Sequence, residues 1–312
     1  MTWFSNIWTT LNILVCLLTF CCKAACCQPA FRTPVAPEGK KPTVNSRLDS
    51  ERSPEGNSQL RGDSYTISVE IDHAEWGMDE RALVKSTCQE AIFTLWEPAG
   101  RPRLPKIVVR YSELGPRISY PLSRTRNNLE PFIVYLKTKP DEPLQIIYQM
   151  GHEFVHVLCG AMPGTREQKW FEESLCECAA LYALRRVAEN YMEGGLKTEK
   201  EYASLLLGSA KATLDSTPNI ESLPKWYRQN QKHLEGNPTD YDFNLPATKT
   251  LLEYFERNPD AWATLIHVNA GGRKQKSFNS RLSSWRNRVK PKQKHHVNEI
   301  AELFGIHLAN PE

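Results

Sequence analysis

His152, Glu153 and His156 stand in the run YQMGHEFVHV, residues 148–157, at the spacing HExxH. Side chains four apart share one face of an α-helix, so the two imidazoles are presented to a single point. Such a pair suits a tetrahedral zinc ion. Glu153, one step round the helix, is placed to hold a water against that ion and to take its proton. The flanks are those of a helix: Leu144, Ile147, Tyr148, Val155 and Leu158 recur at helical spacing, Pro143 stands near the start and Gly160 just past the end.

A catalytic zinc takes three protein ligands and keeps one position for water. The residues that can supply the third lie downstream. Residues 170–177, WFEESLCE, follow a loop carrying Pro163 and Gly164 and open a second apolar-patterned helix running to about Arg186. The interval 157–172 between His156 and Glu173 is long enough for a turn and an antiparallel return. Glu173 and Glu177 are four apart, so both can face the first helix. A metal-bound histidine commonly donates its other ring N–H to a carboxylate, which fixes tautomer and ring orientation. Glu173 is therefore the candidate third ligand and Glu177 the candidate partner of His152. Glu172 and Glu177 stay open as alternative ligands. The implied cofactor is Zn²⁺, one per chain.

HEFVH followed by WFEES, with a carboxylate four positions further on, resembles the gluzincin metallopeptidases, the group holding thermolysin-like and aminopeptidase-N-like enzymes. Their second helix carries W-x-x-E-[GA], with the glutamate as third zinc ligand. Residues 170–174 match it with serine in the last place. The resemblance covers roughly residues 130–260. It departs in two respects: the loop between the helices is slightly shorter, and no G-x-M-E-N-like segment precedes the first helix. The chain thus resembles the gluzincin core rather than the aminopeptidase subfamily. The resemblance implies a zincin-like fold and hydrolysis of a peptide or protein substrate, with Glu153 as base. It also implies a Tyr or His that donates to the oxyanion. Tyr241, in YDFNLPA ahead of an apolar helix, is similar to the Y-x-x-G/A segment of these enzymes, with Tyr227, His233 and Tyr254 as rivals. In such folds the last strand before the zinc helix is an edge that pairs with extended substrate, and Phe132, Ile133, Val134, Tyr135 and Leu136 occupy that place.

These residues need a scaffold, and the patterns supply one. Residues 65–71, 106–111 and 132–136 read as strands, and Met78 to Trp96 reads as a helix through Ala82, Leu83, Ile92, Phe93 and Trp96. After residue 143 the periodicity is helical almost throughout. Strands followed by helices predict an α+β protein, a small N-terminal mixed sheet lobe with a helix and then a mainly helical lobe.

The N-terminal part stands outside that core. Residues 3–27 hold an apolar run from Leu11 to Cys22 followed by small residues, which reads as a signal peptide, or alternatively a retained membrane anchor. The expected location is secreted, periplasmic or extracellular, or tethered to a membrane by residues 3–27. Residues 28–63, rich in Pro and charge, read as a disordered linker, leaving 64–312 for the domain, with a basic helical extension at 271–312. Cys88, Cys159, Cys176 and Cys178 lie in the domain. A disulfide from Cys159 to Cys176 or Cys178 could pin the two helices in an oxidising compartment, the alternative being buried thiols.

A net charge of +3 is too small to imply nucleic acid, and none is expected as a partner. Residues 273–294 nonetheless carry nine Lys and Arg and no acid. This run reads as a solvated face, and His295-His296 as a surface pair. A second reading makes the chain a non-enzymatic binding module that docks a polyanion or envelope partner through this run. Glu153 counts against it, because a metal bound only for structure has no use for a base.

Overall fold

The computed structural model describes residues 67–308, apart from 73–75, 121–123, 126–127, 161–164, 196, 273–274 and 276. All of them belong to one compact unit, Thr33–Glu312. The segments read as signal peptide or anchor and as linker lie outside the described residues. Among those described, no helix is long and apolar enough to cross a membrane.

The protein is α+β. Four strands, β1 (Val69–Ile71), β2 (Ile107–Tyr111), β3 (Arg117–Ser119) and β6 (Phe132–Leu136), form a mixed sheet in the order β1-β2-β6-β3. A small separate hairpin, β4 (Arg124–Thr125) and β5 (Asn128–Leu129), lies between β3 and β6 in the chain. The helix α1 (Met78–Trp96) crosses between the parallel strands β1 and β2. Then come the helices α2 (Pro143–Leu158), α3 (Lys169–Gly194), α4 (Lys197–Asp215), α5 (Leu223–Gly236), α6 (Tyr241–Arg257), α7 (Phe278–Arg288) and α8 (Lys294–Leu303). Of the strand expected over 65–71, residues 65–66 lie outside the described residues and Val69–Ile71 is strand, and the second helix runs past Arg186 to Gly194.

One expectation is overturned. Phe132–Leu136 is an interior strand, parallel to β2 on one side and antiparallel to β3 on the other. The edge is β3 itself. The chain turns back after β2 through Gly115, whose φ of 100° is open to glycine, and lays Arg117–Ser119 along β6. The pairing is reinforced where Arg117 stacks its guanidinium 4.1 Å from the ring centre of its cross-strand partner Tyr135. A segment Arg-Ile-Ser offers one apolar side chain and no alternation to read, so its sequence carries no strand signal.

The helices α2 and α3 form an antiparallel pair at the centre. Every residue of α2 from Ile146 to Leu158 is buried, and so is every residue of α3 from Trp170 to Leu184. A helix apolar or sequestered on all sides is a core helix, and α3 packs against α1, α2, α4 and α6. The pair can lie close because of one residue. A Cβ added at Gly151 would stand 3.0 Å from Ala183 Cβ and 3.2 Å from the Ala179 carbonyl. Any side chain at 151 therefore pushes α2 away from α3. Facing the sheet, the Gln149 amide accepts from Lys137 N at 2.8 Å and donates to Lys137 O at 3.0 Å, which ties α2 to the end of β6.

The described residues between 271 and 308 pack into the domain. Trp170 and Phe171, at the start of α3, sit in one aromatic cluster with Tyr227, Phe278, Trp285 and Phe304, ring centres 4.8–6.1 Å apart. Offset and edge-on contacts of this kind add to the area they bury. Nor is the basic run simply a solvated face. Arg288, Lys290 and Lys292 are exposed, but Arg281 and Arg286 are buried. His295 is exposed while His296 is buried, held between the Tyr254 hydroxyl at 2.9 Å and Asp260 at 3.1 Å. The surface-pair reading is thus corrected for His296, because α8 turns it inward onto α6.

Candidate metal centre

Two helix ends are built so that the site residues meet. Pro143 opens α2, where its missing N–H is not needed, and Gly160 at φ 83° closes it. After the connection, α3 begins at Lys169 and carries Glu172, Glu173, Cys176 and Glu177 back along α2. The first residue of α6 is Tyr241, fixed there by Asp240, whose carboxylate accepts from Phe243 N at 3.2 Å.

Each histidine divides its two nitrogens in the same way. His152 Nδ1 lies 3.3 Å from Glu177 Oε2, and His156 Nδ1 lies 2.8 Å from Glu172 Oε1. The two Nε2 atoms both turn to Glu173, at 3.3 Å from Oε2 for His152 and 3.7 Å from Oε1 for His156. With Nδ1–H donating to its acid, Nε2 is left with a lone pair, the form a metal requires. Ligands on zinc–donor bonds of 2.0–2.2 Å lie about 3.3–3.6 Å apart in a tetrahedron. The contacts of Glu173 with His152 at 3.3 Å and His156 at 3.7 Å, made through its two different oxygens, are near that spacing.

A second third donor stands nearby. The donor atoms of His152, His156 and Cys176 all lie within 4.8 Å of one another. Glu173 turns an oxygen to each Nε2 and Cys176 groups with both histidines, so each of them can complete a set of three donors. The four described cysteines are free, buried thiols, so no disulfide pins the two helices.

The orienting acids are themselves held. Tyr148 donates to Glu177. Glu172 Oε2 accepts from Asn269 Nδ2 at 2.9 Å and lies 3.5 Å from Arg281. Arg281, fully buried, also donates to the Gln168 carbonyl and to Asn269 Oδ1 at 2.7 Å. Neither Asn269 nor Arg281 was expected from the sequence: both lie about a hundred residues downstream, Arg281 in a run that reads as solvated. Tyr120, at the end of β3, is another addition. Burial first, then the charges of Glu172, Cys176, Cys159 and Glu153, push its hydroxyl far above the usual range.

The electrostatics call for a cation. Glu153, Glu172, Glu173 and Glu177 are all buried, against two bases, Lys169 at 3.0 Å from Glu173 and Arg281. Fully ionised, the acids exceed the bases by two charges, which a buried site must balance. Burial would lower the His152 pKa, but its bonds to Glu173 and Glu177 outweigh burial and push it up to about 10. Burial likewise works against the Glu173 carboxylate, yet His152, His156 and Lys169 hold its carboxyl below the usual range. A divalent cation meets the same demand as two protons. Glu153 supplies the remaining observation: its Oε2 is buried and has no hydrogen-bond partner among the described residues. A base facing a metal needs such an oxygen free to meet a water. The donor types present therefore fit a divalent metal ion.

Tyr241 reaches the centre from α6. Its hydroxyl donates to Glu173 Oε2 at 3.3 Å, and its ring centre lies 5.8 Å from that of His152. The rivals are engaged elsewhere: Tyr227 in the aromatic cluster, His233 with Asp240 at 3.0 Å, and Tyr254 with His296 and Glu299. A cavity of about 850 Å³ between α1, α3 and the start of α4, lined by Glu90, Tyr191 and Glu199 among others, contains none of the candidate site residues.

No protein-family model, no curated protein and no solved structure matches this chain. The site must be read from its own geometry.

Proposed function

We propose that the protein is a zinc-dependent peptidase with a zincin-like arrangement of α2 and α3. The observation that carries this is the pairing on the two histidines: each Nδ1 meets an acid while both Nε2 atoms turn to Glu173. His152, His156 and Glu173 would hold the ion. When bound, zinc supplies an acidified water and polarisation of the scissile carbonyl. Glu153 takes the proton of the attacking water on Oε2 and passes it to the leaving amine nitrogen. Glu177 and Glu172 keep the two imidazoles in register. Tyr241, whose hydroxyl already lies at the centre, donates to the oxyanion. One edge strand of the sheet is β3, which leads straight into Tyr120.

The binding-module reading loses support from two features. Arg281 and Arg286 are spent inside the domain, and the buried, unpartnered Glu153 oxygen has no role in a purely structural metal site.

Purified full-length protein is expected to carry about one zinc per chain. It should cleave members of a mixed peptide pool, with cleavage lost on chelation and restored by zinc. Protein that binds no zinc, or zinc-loaded protein that cleaves nothing before or after Cys176 is replaced, defeats the proposal. Tyr241→Phe is expected to lower kcat by about 10²-fold with little change in KM, because an oxyanion bond is absent in the ground state. A zinc-loaded variant with unchanged kcat removes Tyr241 from the mechanism.

A further inference from the structure

Two residues compete to complete the same centre. Glu173 approaches both Nε2 atoms at 3.3 and 3.7 Å, and Cys176 has its sulfur within 4.8 Å of both histidine donors. They need not exclude each other. Cys176 follows Glu173 by three positions, one turn along the same face of α3. Together with the histidines they make four donors, all buried.

The number of donors has chemical consequences. A zinc ion with four protein ligands is closed and inert, whereas one with three keeps a place for water. Thiolate is the softest ligand in the set and is well suited to zinc. We propose that Cys176 is the fourth ligand of the resting centre, so that the protein is held latent and becomes active when the sulfur gives up its place. This rests on the zinc-peptidase reading and extends it to regulation. Two features make the exchange practicable. The sulfur moves on a single bond, χ1, without disturbing the helix that carries it. Glu153 stands at the centre with Oε2 unpartnered among the described residues, ready for a water once one can enter. Opening needs no oxidant: Cys176 takes up a proton from solvent, and a water oxygen replaces its sulfur.

Cobalt(II) reports the sulfur directly, since a thiolate–cobalt bond gives a charge-transfer absorption in the near ultraviolet that nitrogen and oxygen ligands lack. Full-length protein loaded with one equivalent of cobalt should show that band. Cys176→Ala should lose it while still binding one cobalt, at least about tenfold more weakly, since even an outer partner of a ligand is worth that much. The same variant loaded with zinc should cleave the peptide pool at least about tenfold faster than wild type. Cys176→Ser repeats the comparison if the alanine variant does not fold. Cys159→Ala should keep the band. Cobalt bound without the band, or a band that survives in Cys176→Ala and vanishes in Cys159→Ala, overturns the proposal and leaves the peptidase reading standing. Loss of all cobalt from Cys176→Ala while Glu173→Ala retains it also overturns it, making Cys176 the third ligand. A band lost in Cys176→Ala without peptide cleavage by either form upholds the ligand and defeats the peptidase reading.

Discussion

Glu153→Gln is expected to cut peptide hydrolysis by at least about 10²-fold, the usual contribution of a general base, with zinc still bound. That factor corresponds to about 2.7 kcal/mol of barrier. The substitution keeps the shape of a side chain that is only 2% exposed, so packing against α3 is preserved. It leaves His152, His156 and Glu173 untouched. What it removes is an oxygen that can accept a proton and carry it. Burial raises the Glu153 carboxyl above its ordinary range, with His152 and His156 pulling the other way. A carboxylate raised toward neutral pH is a better-matched base than one in water. Zinc content and turnover should be measured on the same sample. Equal turnover in the variant would sink the mechanism and return weight to the binding-module reading.

Arg281→Leu should be the most damaging single change outside the donor set. Its guanidinium is fully buried and faces Glu172, the acid that orients His156. Removing one partner of a buried ion pair leaves the other uncompensated, at a cost of about 3–5 kcal/mol. Asn269 would still donate to Glu172, but the Gln168 carbonyl at the head of α3 would lose its donor. Zinc affinity should fall by about 10- to 100-fold, the range for partners that orient a ligand. Arg281→Lys keeps the charge but not the fork that reaches Gln168, Asn269 and Glu172 together, and should fall between the two. Urea unfolding and zinc titration give the two readouts. A leucine variant with wild-type stability and zinc affinity would refute the assignment.

The sequence was most legible where chemistry and periodicity coincided. HExxH with Pro143 and Gly160 at its flanks delimits α2, and the interval to Glu173 places the second helix against it. The pairing of Glu177 with His152 could be anticipated because four-residue spacing on each helix leaves few other partners. Glu172 was harder. Three and four residues apart share a helix face, but one apart do not, so adjacent Glu172 and Glu173 could not both be assigned from spacing alone. In the structure they straddle His156, one at Nδ1 and one near Nε2. The strand β3 was illegible because three residues with one apolar member make no pattern. Arg281 and Asn269 were illegible for a different reason. Their partners lie far away along the chain, and no local periodicity encodes a tertiary hydrogen bond. The basic run was misjudged through the assumption that charge means solvent, which fails for an arginine whose two terminal guanidinium nitrogens meet buried acceptors.

The reach of Arg281 also sets an order of events as the chain is made. Its bond to Gln168 closes a loop of 113 residues, and that from Asn269 to Glu172 closes one of 97. Contacts of such separation form late, after the entropy of closing the loop has been met by other packing. During synthesis the two histidines and Glu173 leave the ribosome together, long before the residues that steady Glu172. The early centre is therefore a loose one, with acids and imidazoles in reach of each other but His156 unbraced. Only when α7 docks beneath the head of α3 does the last brace arrive. The bracing of His156 through Glu172 is thereby tied to completion of the chain, and an unfinished polypeptide does not yet hold the finished cluster.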